Sequence, residues 1–255
     1  MKLWSGVVAM VAVVLVAVAP EANSAAGTPI TSCGQVVTTN AFLTGDLLCS
    51  GSHGVVAGAS GITIDLKEFI VLGDNTNGKY GILVTGAFDK VTIKNATVRH
   101  FDYGVYALAD KIVVSNVVAT GNTNCGICIV GADATVKSST GSATFNSGTG
   151  ISINGDRAYV QSSMAAANSG GIGVVGEQAK IQSSIASGND YGGIEVNGTP
   201  AALKGNRAEG NGFEGGASDF NGTGIRVTGY TTLPTGKNIA RGNDNPNECD
   251  PTLLC

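Results

Sequence analysis

Apolar residues in this chain fall in very short alternating strips broken by glycine, asparagine and serine, and the strips recur at a nearly fixed interval. The phrase Gly-(Ile/Val)-x-(apolar) stands at Gly81-Ile82-Leu83-Val84, Gly104-Val105-Tyr106-Ala107, Gly126-Ile127-Cys128-Ile129 and Gly150-Ile151-Ser152-Ile153. It returns at Gly171-Ile172-Gly173-Val174, Gly193-Ile194-Glu195-Val196 and Gly224-Ile225-Arg226-Val227, giving spacings of 23, 22, 24, 21, 22 and 31 residues. Gly54-Val55-Val56-Ala57 reads as an earlier member. A second strip keeps step with the first: ITIDL from 62, VTIKN from 91, IVVSN from 112, ATVKS from 134, AYVQS from 158, AKIQS from 179 and AALKG from 201. A third and weaker strip places Val98, Ala119, Ala143, Ala165, Ala186 and Ala208 at matching positions.

Alternation with a period of two predicts strands, and three strands in about 22 residues leave no room for crossover helices. The apolar faces are buried most simply if the chain winds as a coil and each coil stacks on the last. Each strand then pairs with its equivalent one turn later, about 4.8 Å along the axis. The fold class predicted is therefore all-β: a single-domain parallel β-helix of about eight coils, some 35–40 Å long at that spacing. This reading disposes of a tempting motif. Gly171 to Gly176 fits G-x-G-x-x-G letter for letter, but the nucleotide fingerprint must open a helix, and here another strand follows.

A row of asparagines, Asn122, Asn146, Asn168, Asn189 and Asn211, recurs in step with the strips. A side-chain amide both donates and accepts, so stacked asparagines can bond coil to coil as a ladder. Asn95 and Asn116 begin a second row, continued by Ser138, Ser162 and Ser183.

The strips "GIxV…VTIKNATV…GN" resemble right-handed parallel β-helix repeat proteins of the pectin-lyase-like architecture. The stretch "CGQVVTTNAFLTGDLLCSG…GVVAGASGITIDL" is similar to the lead-in segment often found before such repeats in exported bacterial proteins. The resemblance implies a right-handed coil over residues 33 to 245. The chain is expected to divide into a signal peptide (1–25), an N-terminal capping segment (26–60), the β-helix (61–245) and a C-terminal disulfide-containing tail (246–255). It also implies acidic polysaccharides as the substrate class, acted on by hydrolases, lyases or epimerases over the first strand row. The catalytic signatures of those enzymes do not carry over. Asn122-Thr123-Asn124 has an amide where the hydrolases need an acid, no Asp-Asp pair occurs, and Asp250-Pro251 does not continue into His-Asp.

Composition narrows the partners. A net charge of −4 with no run of Lys or Arg argues against nucleic acid. Lys2 followed by the 14-residue apolar run 6–19, a break at Pro20 and small residues reads as a cleavable export signal. The run falls short of the ~20 residues that a spanning helix needs, so no membrane span is expected in the mature chain. The expected location is secreted or periplasmic. Six cysteines suit that compartment. They fall in close pairs, Cys33 with Cys49, Cys125 with Cys128 and Cys249 with Cys255, although six cysteines allow fifteen connectivities. Cys125-Gly126-Ile127-Cys128 lacks the helix of a redox motif, which leaves a local disulfide or two unreactive thiols.

If the second and fourth residues of the first strip face inward, its outward column runs Leu83, Tyr106, Cys128, Ser152, Gly173, Glu195, Arg226. Glu195 and Arg226, with Glu214 and Asp219 from the insertion 212–223, are the only set there suited to acid–base work or to holding calcium. The plainer interpretation is a solvated ion pair between coils. A second patch gathers Tyr80, Tyr103 and Tyr106 with Arg99 and Asp102. Stacked tyrosines suit a sugar face, whereas packing over a turn is the commoner use of such rings. No metal ligand set and no required cofactor emerge. The leading expectation is a module that binds a polysaccharide or cell-surface glycan. A lyase, hydrolase or epimerase of an acidic glycan is the alternative.

Overall fold

The computed structural model describes residues 27–212, 222–228, 236–244, 248–250 and 255, with backbone only for 142–147 and 250. The segment expected to be an export signal, Glu214 and Asp219 lie outside the described residues. Among these, every regular element is a strand, and strands pair in parallel with their equivalents one coil on. Three faces result. The first runs from Gln35–Val37 to Cys249–Asp250, the second from Thr28–Ile30 to Ala202–Lys204, and the third from Leu47–Leu48 to Ile239–Arg241. Like sits over like: Ile127 pairs with Ile151, Ile151 with Ile172, Ile172 with Ile194, and Ile194 with Ile225.

Alternation decides what enters the bore. Ile151, Ile153, Ile172 and Val174 of the first face, Val160 and Ile181 of the second, and Ala165 and Ala186 of the third are all buried. In the coil at 140–154 the third-face position is Gly141, paired with Ala119 and Ala165, and not Ala143. That coil has the longest regular repeat, and its register shifts between Ser142 and Thr149, so counting by strips lands two residues late.

The recurring glycine of the first strip has a packing reason. A Cβ on Gly193 would stand 2.3 Å from the Gly224 carbonyl, 2.9 Å from the Ala208 Cβ and 2.9 Å from the ladder amide of Asn211. Gly104 and Gly224 meet the same trio of next-coil backbone, third-face alanine and asparagine amide. The small third strip and the glycine thus belong to one constraint: the coil is pinched where the third face turns into the first.

Corners are made by left-handed backbone. Between the first and second faces it falls on Lys90, Lys111, Asp133, Arg157 and Gln178, with φ of 57–59°. Between the second and third it falls on Asn95, Asn116, Ser138, Ser162 and Ser183. The second polar row is therefore a corner, bonded from coil to coil at its start, where Asn116 Nδ2 donates to Asn95 Oδ1 at 3.0 Å. The buried ladder beside it lies one residue on, where Ser139, Ser163, Ser184, Asn206 and Asn238 each accept the preceding member's backbone N–H or begin the row.

The first asparagine row is buried and bonded in series. Asn168 donates its backbone and side-chain N–H to Asn189 Oδ1, Asn189 to Asn211, and Asn211 to Asn243. Asn122 Oδ1 accepts from the Phe101 N–H, and the side chain of Asn146 lies outside the described residues. The row ends at Glu248, whose Oε2 accepts from Asn243 Nδ2 at 2.5 Å. Disulfides join Cys33 to Cys49, Cys125 to Cys128 and Cys249 to Cys255.

Candidate functional site

Glu195 stands on the first face between Gly173 of the preceding coil and Arg226 of the next, in register with both. Gly173 has open space where a Cβ would point, so the outward column is notched beside the carboxyl. The side chain folds over Gly192, where an added Cβ would lie 2.8 Å from Glu195 Oε1. Two shallow clefts meet there. One, of about 230 Å³, is bounded by Thr149, Gly171, Tyr191, Gly193 and Glu195. The other, of about 190 Å³, lies between Val175, Glu195, Asn197, Arg226 and Thr228. Tyr191 is 45% exposed at the edge of the first.

Burial pushes the Glu195 carboxyl above the ordinary glutamate range, and the charge of Arg226 pulls part of the way back. A carboxyl so placed keeps its proton to higher pH and can donate a hydrogen bond or a proton. Of the four residues predicted for this site, the structure places Glu195 and Arg226 on adjacent coils. Glu214 and Asp219 fall outside the described residues. Among the described residues no three His, Cys, Asp or Glu side chains gather to hold a metal ion.

The tyrosine patch lies nearer the N-terminus on the same face. Tyr80 and Tyr106 stack with ring centroids 5.1 Å apart and planes 14° from parallel, while Tyr103 tilts against both. His53 completes the pile, 5.2 Å from Tyr80 and 7° from parallel. Its Nδ1 accepts from the Tyr80 backbone N–H. Much of the ring faces is thus spent on one another. Burial, followed by Asp102 and then the neighbouring phenols, raises the Tyr103 hydroxyl pKa. Asp102 is buried as an anchor, accepting from the Gly78 N–H at 2.9 Å and from Asn124 Nδ2. Arg99 stands on the third face, in register with Leu72 and Thr120 and across a corner from the rings.

A family model described as right handed beta helix region matches residues 80–244. The chain belongs to that family. Its coil is right-handed, and the pectin-lyase-like architecture agrees with the three-faced stack. Comparison with curated proteins and with solved structures gives no match. Among the described residues no helix is long and apolar enough to cross a membrane.

Sequence reasoning missed His53, Tyr191 and Glu248 as parts of these arrangements. His53 had a signal, since it precedes Gly54 as Tyr80 precedes Gly81 and Tyr103 precedes Gly104. Tyr191 lies in a bend, and Glu248 stands just before Cys249, the partner of Ile225, where the strip pattern expects glycine, so the pattern points to neither.

Proposed function

We propose that this β-helix protein is exported and holds a polysaccharide or cell-surface glycan on its first face, in the clefts around Glu195, without cleaving it. The observation that carries the reading is the cleft at Thr149–Glu195. Glycines 171, 192 and 193 leave its floor without side chains, Tyr191 edges it with an exposed ring, and Glu195 supplies a polar group. A flat sugar ring needs such a floor, an apolar ring to lie against, and a few hydrogen-bonding groups to orient it. Export is supported by the apolar run after Lys2 and by three disulfides. Binding assays on a panel of neutral and acidic polysaccharides, with chain ends measured in parallel, test this reading. Binding without new ends is expected, weakened about tenfold by Tyr191→Ala, since one aromatic contact is worth ~1 kcal/mol or more. A blank panel rejects it.

The raised pKa of Glu195 favours one further reading, a lyase, hydrolase or epimerase of an acidic glycan with Glu195 as the proton donor and Arg226 beside it. New reducing or unsaturated ends from the parent and none from Glu195→Gln support it; equal turnover by both removes Glu195 from the chemistry. Paired assays with calcium and with chelator test for a bound cation.

A further inference from the structure

Of the residues lining the two first-face clefts, Gly173 and Glu195 alone border both. Gly173 contributes no side chain, and a Cβ built on it meets nothing within 4 Å. The Glu195 side chain is therefore the wall between a cleft of about 230 Å³ and one of about 190 Å³. Each falls below the ~300 Å³ at which ligand pockets usually begin, whereas the two joined exceed it. One side chain decides which of the two the face presents.

The position of that wall depends on a second glycine. A Cβ on Gly192 would have three atoms of Glu195 as its nearest neighbours, Oε1 at 2.8 Å, Cδ at 3.3 Å and Cγ at 3.6 Å. These are the far end of a flexible side chain, which can swing where backbone could not. Burial there favours the protonated carboxyl, while the charge of Arg226, in register on the next coil, favours the ionised one. Besides Glu195, the described lining of the clefts holds one charged group, Arg226, and one further titratable group, Tyr191. Ionisation thus removes the reason for lying over Gly192 and supplies one for turning away. A carboxylate is least costly where water and an opposite charge both reach it.

We propose that Glu195 is a movable wall: lying over Gly192 it keeps the clefts apart, and turned toward Arg226 on ionisation it joins them into one trough. What fills the trough rests on the glycan reading above; the movement of the wall does not. NMR of the purified protein without ligand, from acid to neutral pH, tests the movement. Contacts between the Glu195 γ-protons and the Gly192 α-protons are expected in acid and are lost as the carboxyl titrates. Glu195→Gln is expected to keep the contact at every pH. Gly192→Ala sets a methyl group in the carboxyl's place and should lower its midpoint toward the ordinary value of 4.5. A contact that persists after the carboxyl has ionised overturns the proposal, as does a midpoint that Gly192→Ala leaves unmoved. Titration with galactan oligosaccharides, which carry no charge of their own, tests the ligand side separately. Affinity for a long oligosaccharide is expected to rise at least about tenfold as Glu195 ionises, and affinity for the monosaccharide to stay level. Equal binding across the titration overturns the wall's control of the site even where the contact is lost as expected. Absence of galactan binding at every pH counts against the glycan reading, and the contact still decides the wall.

Discussion

Packing of the Glu195 carboxyl over Gly192 couples its proton to folding. Its pKa is raised in the folded chain, so over a range of pH the folded state holds a proton that the unfolded state has released. The stability contributed is fully present below the unfolded value of 4.5 and is lost as pH rises through the folded pKa. Urea titrations are therefore expected to show the parent weakening over that window while Glu195→Gln does not. Arg226→Gln, which removes the charge opposing the shift, should move the parent's loss to higher pH. At this scale the sequence indicated which residues neighbour each other across coils: Glu195 beside Arg226 follows from repeat counting alone. It did not indicate environment: Gly192 keeps the periodic place just before the strip glycine, but nothing in the period says that the Glu195 side chain folds over it. The polar row at Ser138, Ser162 and Ser183 was legible as a row, but its job was not. A serine in a left-handed corner and a serine in a buried ladder differ by one position, and only backbone dihedrals separate them.

Strands and corners repeat because a few positions tolerate almost nothing else. Gly193→Ala sets a methyl group against the Gly224 carbonyl at 2.3 Å, where the obstacle is backbone and cannot swing aside. A loss of about 2–3 kcal/mol or more is expected in denaturant unfolding, the scale of an overpacked core. Gly173→Ala is the control, since its Cβ meets nothing within 4 Å. It should change stability by less than ~0.5 kcal/mol while narrowing the notch beside Glu195. The two glycines occupy different places in the same four-residue phrase, so the strip pattern separates them. Where a coil carries extra residues, as at 140–154, strip counting misplaced the third-face residue at Ala143. The lengthened segment shifts register inside the strand instead of looping out.

A solenoid meets its neighbours only coil by coil, so its stability is nearly a sum along one axis and its ends open first. The Cys33–Cys49 bridge closes a sequence separation of 16 residues at the N-terminal end, worth ~3 kcal/mol in restricted unfolded-chain freedom. Replacing both cysteines by serine is expected to speed amide exchange in residues 28–57 much more than in residues 127–174. Uniform acceleration along the chain would show a single cooperative unit instead. The whole-molecule architecture was the most legible level of all, because one error in a strip is outvoted by its repeats. The binding surfaces were least legible, since each occurs once. The C-terminal end carries one more consequence, at Glu248. From Asn168 to Asn243 each side-chain amide gives one hydrogen bond forward to the next coil and one back to a third-face carbonyl, and the last recipient is the Glu248 carboxylate, with none of its own to hand on. Beyond Asn243 the row therefore offers an acceptor and no amide hydrogen of its own.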